Sequence, residues 1–138
     1  MKTNALEVIT LNTMALYLQA KMFHLNVTGP RFYGDHKTYD GIADVGIEYF
    51  DILAERMRAL DMTVPSSPEA VAKVSVMDDG ADEDSSADEM VKTMLASLEE
   101  FSELVQAAFE ATDATTSNLL QELDAALGKQ IYFVRSSI

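Results

Sequence analysis

The sequence contains no cysteine and no tryptophan, and it has only 10 basic residues against 23 acidic ones. Without cysteine, neither a disulfide framework nor a cysteine-ligated zinc cluster can stabilise the fold. The net charge of −13 argues against a general affinity for nucleic acid or anionic membranes, because such binding depends on lysine and arginine neutralising phosphates. Cations are the more natural partners.

Long apolar runs are also missing. No window approaches 18 consecutive apolar residues, and the start MKTNALEV lacks the apolar segment of a secretory signal, so we expect a cytoplasmic protein without membrane association. The 138 residues fit a single domain, 1–138. A chain of this length buries roughly two-thirds of the surface that it exposes when unfolded, so a hydrophobic core alone can stabilise it.

Apolar residues recur at steps of three and four over four long segments, a period that predicts amphipathic helices. These helices are predicted over 3–28, from Phe32 or Asp35 to Leu60, from Ser86 onwards and from about Asp113 onwards. Residues 62–85 break the pattern, except for a short helix predicted to start at Ser66, because Ser66 and Glu69 have capping-box spacing. Ser86 and Glu89 repeat that spacing. The predicted fold class is all-α, a four-helix bundle with a short helix in the long second connection.

The first predicted helix carries an apolar stripe and the second carries an acidic one. The apolar stripe consists of Val8, Leu11, Ala15, Leu18, Met22 and Leu25. The acidic stripe consists of His36, Asp40, Asp44, Glu48, Asp51 and Glu55, at steps of three and four. Like charges at this spacing destabilise a helix, so something positively charged is expected to lie against the acidic stripe. A solvated acidic face is the alternative interpretation.

The only two histidines of the chain flank one predicted turn, NVTGPRFYGD. His24 ends the first helix and His36 begins the second, so an antiparallel reversal would bring them together. His36 and Asp40 form an (i, i+4) pair of potential ligands, and Asp51 and Glu55 form another. Imidazole combined with carboxylate suits iron, manganese or zinc and disfavours calcium, which takes oxygen ligands.

One chain cannot close a metal site with both pairs. Asp40 and Asp51 lie about 16 Å apart along a helix axis, which ligands near 2 Å from a metal cannot span. The pairs therefore bind metal separately, or each completes a site with a second copy across an antiparallel two-fold axis. The two helices of such a dimer would cross near Gly46, and the small residues Gly41 and Ala43 nearby would let their backbones approach closely.

The spacing H-x11-H-x3-D-x10-D-x3-E resembles the ferroxidase signature of the Dps-like miniferritins, which are part of the ferritin-like superfamily. The segment KMFHLNVTGPRF is similar to the family's K-x-x-H-W-N-V-x-G-P-x-F, and DILAERM is similar to its D-x-I-A-E-R-I. The similarity extends from Asn12 to the terminal IYFVRSSI, which resembles the family's I-W-M-L-R-S. The resemblance therefore covers nearly the whole chain.

This resemblance implies a ferritin-like bundle that assembles through two-fold dimers into a hollow dodecamer. It implies oxidation of iron(II), preferably by hydrogen peroxide, and storage of ferric iron inside the shell. The implied iron ligands are His24, His36 and Asp40 from one subunit with Asp51 and Glu55 from its two-fold mate, and Asp44 and Glu48 are candidates for mineral nucleation. No catalytic group beyond the metal ligands is implied.

The sequence departs from the family where tryptophan is usual, because Leu25 and Tyr132 occupy those positions. Peroxide and dioxygen therefore both remain candidate oxidants. The lysine-rich extensions of the DNA-binding members are also missing, so DNA binding is not expected. The alternative function is a shell without redox activity, which would buffer zinc or manganese at the same ligands or protect DNA as a structural coat.

Overall fold

A computed structural model describes residues 4–138 and contains five helices in that range. They are α1 (Ala5–Asn26), α2 (Phe32–Ala59), α3 (Pro68–Val74), α4 (Ala87–Ala107) and α5 (Ala114–Arg135). Residues 4–138 contain no strand, and no helix in this range has the length and apolar character needed to cross a membrane. The four long helices form the bundle and α3 lies in the connection between α2 and α4. The predicted all-α fold with a short helix in this connection is confirmed.

The long connection between α2 and α4 places the first turns of these two helices at the same end of the bundle. Arg31, at the N-cap of α2, lies 3.4 Å from a carboxylate oxygen of Asp88 in the first turn of α4. Arg31 also donates a 3.1 Å hydrogen bond to the carbonyl oxygen of Ser137, beyond the end of α5. At the opposite end, Arg56 in the last turn of α2 lies 3.0 Å from Asp113, which precedes α5.

Two polar side chains of α1 hold the connection against the bundle. Asn12 is fully buried, donates to the carbonyl oxygen of Val74 at 3.0 Å, and accepts from the backbone N–H of Val76 at 2.8 Å. Gln19 donates to the carbonyl oxygen of Asp78 at 2.6 Å. Since buried backbone groups need partners, these side chains allow an irregular loop to pass closely over α1.

The core face of α1 is not the predicted apolar stripe. The α1 residues that enter the main core are Leu6, Ile9, Leu16, Ala20 and Phe23, and Val27 joins them directly after the helix. Within the predicted stripe, Leu11 and Ala15 pack with Val71 of α3 in a second small cluster. Leu18 and Leu25 are 54% and 70% exposed. Because α1 is apolar on most of its faces, apolar spacing alone did not identify which face enters the core.

The helix starts follow from side-chain caps. Ser86 and Glu89 form the predicted capping box at the start of α4, with each side chain accepting a 3.1 Å bond from the other's backbone N–H. The predicted start of α3 at Ser66 is wrong, because Ser67 is the N-cap. Pro68 then occupies the first turn, where its missing N–H removes no helical hydrogen bond.

The backbone conformations of Val27 and Gly29 determine where α1 ends and how the chain turns into α2. α1 ends at Asn26, before the predicted end at residue 28, because Val27 is extended with a ψ of 140° and buries its side chain. Gly29 has a φ of +104°, a conformation that favours glycine, and α2 begins at Phe32. The predicted start of the first helix at residue 3 lies outside the described residues.

Gly46 does not lie where the sequence predicted. It is buried against α1 of the same chain, and a Cβ atom there would lie 2.8 Å from the carbonyl oxygen of Thr13 and 3.0 Å from the backbone nitrogen of Tyr17. Ala43 is also fully buried in the core, and a Cβ on Gly41 would approach Gln130 of α5 at 3.9 Å. The prediction that Gly46 and Ala43 line a crossing between two subunits is therefore wrong, whereas this ordinary contact leaves the prediction for Gly41 as it was. Gly46 and Ala43 permit close packing within one bundle.

Acidification below pH 4 should weaken the contact between Arg56 of α2 and Asp113 at the start of α5. Hydrogen bonds from Thr116 and Arg56 hold the pKa of Asp113 at about 2, below its usual value of 3.8. Since the folded pKa is the lower one, the ionised carboxylate favours folding above pH 4, and this contribution is lost as pH falls towards 2. We expect Asp113→Asn to show a smaller drop in unfolding temperature between pH 5 and pH 2 than the unaltered chain. An equal drop in both proteins would exclude this role, and Asp79→Asn, an exposed loop acid, is the control.

Candidate metal centre

The two histidines meet across the turn between α1 and α2. Their rings stack with centroids 3.8 Å apart and an interplanar angle of 14°. His24 Nδ1 bonds to the carbonyl oxygen of His36, and His36 Nδ1 bonds to the carbonyl oxygen of His24, both at 2.7 Å. This reciprocal pair of bonds fixes both rings against backbone. The prediction that the turn brings the two histidines together is confirmed.

These bonds also decide which ring nitrogen can ligate a metal. A carbonyl oxygen only accepts hydrogen bonds, so Nδ1 of each ring must carry the proton that it donates. In the neutral ring the lone pair then lies on Nε2, the atom available to a metal. A backbone carbonyl bonded to the far nitrogen is the usual outer-shell partner of a metal-binding histidine. His24 and His36 are therefore both prepared as Nε2 ligands.

Asp40 lies beside the histidine pair, one turn after His36 on α2. Its Oδ1 atom is 3.9 Å from His24 Nε2 and 2.7 Å from Nζ of Lys21. The hydrogen bond from Lys21 and the charge of its ammonium group lower the pKa of Asp40, so the carboxylate is held ionised. We call the group formed by His24, His36 and Asp40 the histidine half-site.

Lys21 was missed as a site residue in the sequence. It precedes His24 by three residues, so both side chains project from the same face of α1. Lys21 is also the first residue of the segment KMFHLNVTGPRF, and the similar family motif begins with lysine at the same position. A cation bound at Asp40 must share the carboxylate with the ammonium group of Lys21 or displace it, so Lys21 moderates the negative charge of the histidine half-site.

Asp51 and Glu55 lie further along α2, and the structure does not bring them to the histidines. Both are exposed, and they line an open groove of about 680 Å³. The other residues of this groove are Glu48 and four apolar ones, Met14, Ile47, Phe50 and Ile52. Within residues 4–138 of a single chain, no three histidine or acidic side chains are placed to hold one metal ion. We call Asp51 and Glu55 with their groove the carboxylate half-site.

The α2 ligands of both half-sites share the face of the acidic stripe, and exposed apolar residues lie on α1 and α2 as well. Leu18 and Leu25 of α1 and Ile47 of α2 are 54%, 70% and 39% exposed. Leu25 directly follows the candidate ligand His24, at the position where the miniferritin motif has tryptophan. Large exposed apolar side chains grouped beside unfinished ligand sets are typical of a surface that another protein covers.

The remaining residues of the acidic stripe, Asp44 and Glu48, are exposed on α2. Burial raises the pKa of the neighbouring Tyr49, and the nearby carboxylates of Glu122 and Glu48 raise it further. Tyr49 therefore lies near both Glu48 of the stripe and Glu122 of α5. Tyr132, at the second position where the family has tryptophan, is 57% exposed near the end of α5.

Comparisons with known proteins agree with this architecture. The family model described as a ferritin-like domain matches residues 3–138. The DNA protection during starvation protein of Brevibacillus brevis is 25% identical over 132 residues, which cover 91% of this chain and 86% of that protein. Solved Dps structures superpose closely on the chain.

One such structure is a C-terminal deletion mutant of Mycobacterium smegmatis Dps, with a TM-score of 0.88 and 26% identity over 95% of this chain and 93% of that one. The Dps homologue of Halobacterium salinarum gives a TM-score of 0.89 and 25% identity, covering 96% and 76%. The Dps of Microbacterium arborescens in a high iron form gives 0.89 and 22%, covering 96% and 89%. The chain belongs to the ferritin-like domain family, and within it the chain is a Dps-like miniferritin.

Proposed function

We propose that this protein oxidises iron(II), with hydrogen peroxide or dioxygen as the electron acceptor, and stores the ferric product inside a homo-oligomeric shell. The observation that carries this proposal is the histidine half-site. Two imidazoles present fixed Nε2 atoms beside an ionised carboxylate, a donor set that suits iron. The printed description of the Microbacterium arborescens structure as a high iron form associates iron with this fold in that protein.

The second step of the proposal is a dimer that completes each site. In an antiparallel pairing of two α2 helices, the histidine half-site of one chain faces the carboxylate half-site of its partner. The single chain supports this pairing because it leaves both half-sites incomplete on one face. Burial of the exposed Leu18, Leu25 and Ile47 would stabilise the contact, at about 25 cal/mol for each Å² of apolar surface removed from water.

Iron is the substrate of the proposed reaction, and the chain supplies its ligands. The mixed nitrogen and oxygen donors accept iron(II), while the carboxylates of Asp40, Asp51 and Glu55 favour the harder iron(III) ion and so favour loss of an electron. Two iron(II) ions and one peroxide with two protons give two iron(III) ions and two water molecules. Reduction of peroxide by two electrons avoids release of hydroxyl radical.

The remaining acids of the acidic stripe support the storage part of the proposal. Asp44 and Glu48 are exposed carboxylates that we propose as the surface on which ferric mineral nucleates. We propose a hollow dodecamer as the container, with a mass twelve times the 15.2 kDa of one chain. A mass measurement by light scattering separates a dodecamer from an isolated dimer.

The proposal is tested by adding iron(II) to the protein without oxygen and then adding peroxide or air. We expect ferric absorbance to rise much faster than in protein-free buffer, and His36→Ala to remove most of this acceleration, because it deletes one ligand. Asp88→Asn, which changes an exposed acid outside both half-sites, is the control and should react like the unaltered chain. Rates equal to protein-free buffer would contradict the proposal.

A shell that protects DNA without turning over iron is the second candidate, and the name of the Brevibacillus brevis relative favours it. The net charge of −13 argues against tight binding to duplex phosphates. The same experiment separates the two candidates. Binding of iron(II), zinc or manganese in fixed stoichiometry with no oxidation would support the shell without redox activity.

A further inference from the structure

Methionine thioethers are the softest oxidisable groups in this chain, because it has neither cysteine nor tryptophan. Seven of its eight methionines lie within the described residues. Met57, Met90 and Met94 are fully buried in the core. The half-buried ones are Met14, Met22, Met62 and Met77. Only the half-buried group is open to a small oxidant without unfolding.

Met14 differs from the other half-buried methionines in what lies next to it. It lines the carboxylate half-site groove together with Asp51 and Glu55, the proposed iron ligands. It also packs against the small cluster of Leu11, Ala15 and Val71. The thioether of Met14 therefore forms part of the wall of the space where iron and peroxide would meet.

Met62 provides the comparison within the same chain. It is also half-buried and also lines a surface groove, of about 180 Å³, that contains a carboxylate. That carboxylate belongs to Asp113, which is already paired with Arg56 at 3.0 Å. The carboxylate of Asp113 also accepts hydrogen bonds from the backbone N–H and the hydroxyl of Thr116. The Met62 groove therefore offers a thioether of similar burial without a free site for a cation.

We propose that Met14 is a specific oxidation site, converted to its sulfoxide by peroxide that reaches the carboxylate half-site; this inference rests on the proposed iron function. The sulfur lone pair attacks one peroxide oxygen, the O–O bond breaks, and the second oxygen leaves as water after proton transfer. The thioether loses two electrons and peroxide gains them, so the step needs no other reactant. Sulfoxides can be reduced enzymatically, which makes the modification reversible.

Iron bound in the groove beside Met14 gives this reaction its selectivity. We expect iron held by Asp51 and Glu55 to bind peroxide and so to keep the oxidant beside Met14. Once the iron(II) is consumed, excess peroxide held in the groove oxidises the neighbouring thioether instead. The product places a polar, chiral group in an otherwise apolar wall formed with Ile47 and Phe50.

The test is to load the oligomeric protein with iron(II), add peroxide in excess, follow ferric absorbance, and then measure sulfoxide at each methionine by peptide mass spectrometry. We expect about fivefold or more sulfoxide at Met14 relative to Met62. Equal sulfoxide at both residues with normal iron oxidation would overturn this proposal and leave the iron function standing. No iron oxidation would overturn both.

Two controls separate selective oxidation from simple exposure. Peroxide without iron should bring the ratio of Met14 to Met62 sulfoxide close to one, because no bound iron concentrates the oxidant. Asp51→Asn, treated with iron and peroxide, should lower the ratio in the same way. A ratio that stays high in both controls would mean that exposure alone selects Met14, which contradicts the proposal.

Discussion

Mixing two inactive variants should restore iron oxidation if each site is shared between subunits. Asp51→Asn removes a ligand of the carboxylate half-site, and His36→Ala removes one of the histidine half-site. Each variant alone should oxidise iron about 10- to 100-fold more slowly, since even loss of an outer-shell partner has effects of this size. Both variants are unfolded, mixed in equal amounts, refolded together and assayed with iron(II) and peroxide.

The expected recovery follows from symmetry. Half of the dimers in a random mixture contain one chain of each variant, and one of their two sites is then built from unaltered half-sites. About a quarter of the sites should therefore regain activity. The spacing of the ligands underlies this expectation, because Asp40 and Asp51 lie about 16 Å apart along α2.

A matched control uses two lesions in the same half-site. Asp51→Asn mixed with Glu55→Gln leaves every carboxylate half-site damaged, so no recovery is expected in that mixture. Equal activity in the two mixtures, or none in either, would contradict a shared site. Light scattering on each refolded sample must give the same mass as the unaltered protein, which excludes loss of assembly as the cause of inactivity.

Gly46→Ala should destabilise the bundle although alanine is the better helix former. The added Cβ would lie 2.8 Å from the carbonyl oxygen of Thr13 and 3.0 Å from the backbone nitrogen of Tyr17, so α1 and α2 must move apart. Backbone atoms cannot rotate away as a flexible side chain can, so we expect a loss of about 1–3 kcal/mol in the free energy of unfolding. Urea unfolding at a fixed protein concentration measures it.

Gly128→Ala is the matched control for this prediction. Gly128 lies in α5, and nothing is within 4 Å of the place where a Cβ would be added. The substitution should stabilise the protein by about 0.5–1 kcal/mol, the usual gain from replacing glycine in a helix. If Gly46→Ala were instead as stable as the unaltered chain and only weakened the dimer, Gly46 would lie between subunits, as the sequence first suggested.

The sequence was sufficient to predict the helices and their order. The four long helices begin within a few residues of the predicted positions, and the two helices with a predicted end also end there. Apolar spacing, the Ser86 capping box and Asp113 are local signals that depend on nearby residues. The meeting of His24 and His36 was also predictable, because a short turn with Gly29 and Pro30 between two helices forces the chain to reverse.

The groups that form hydrogen bonds with Asp40, His24 and His36 could not be predicted from the sequence. The bond between Lys21 and Asp40 joins two helices and depends on how they are rotated about their axes. The reciprocal bonds of the histidine rings to backbone carbonyls depend on the same rotation. Spacing along a helix fixes which side chains share a face, but it does not fix the angle at which that face meets its neighbour.

The sequence by itself determined that this acidic chain, free of cysteine and tryptophan, forms a helical bundle with two separate pairs of potential metal ligands. Only the tertiary structure decided that Gly46 packs within one bundle and that Leu18 and Leu25 remain exposed. The reason is that α1 is apolar on most of its faces, so its orientation was set by close packing against α2. That packing leaves the apolar face beside the half-sites uncovered.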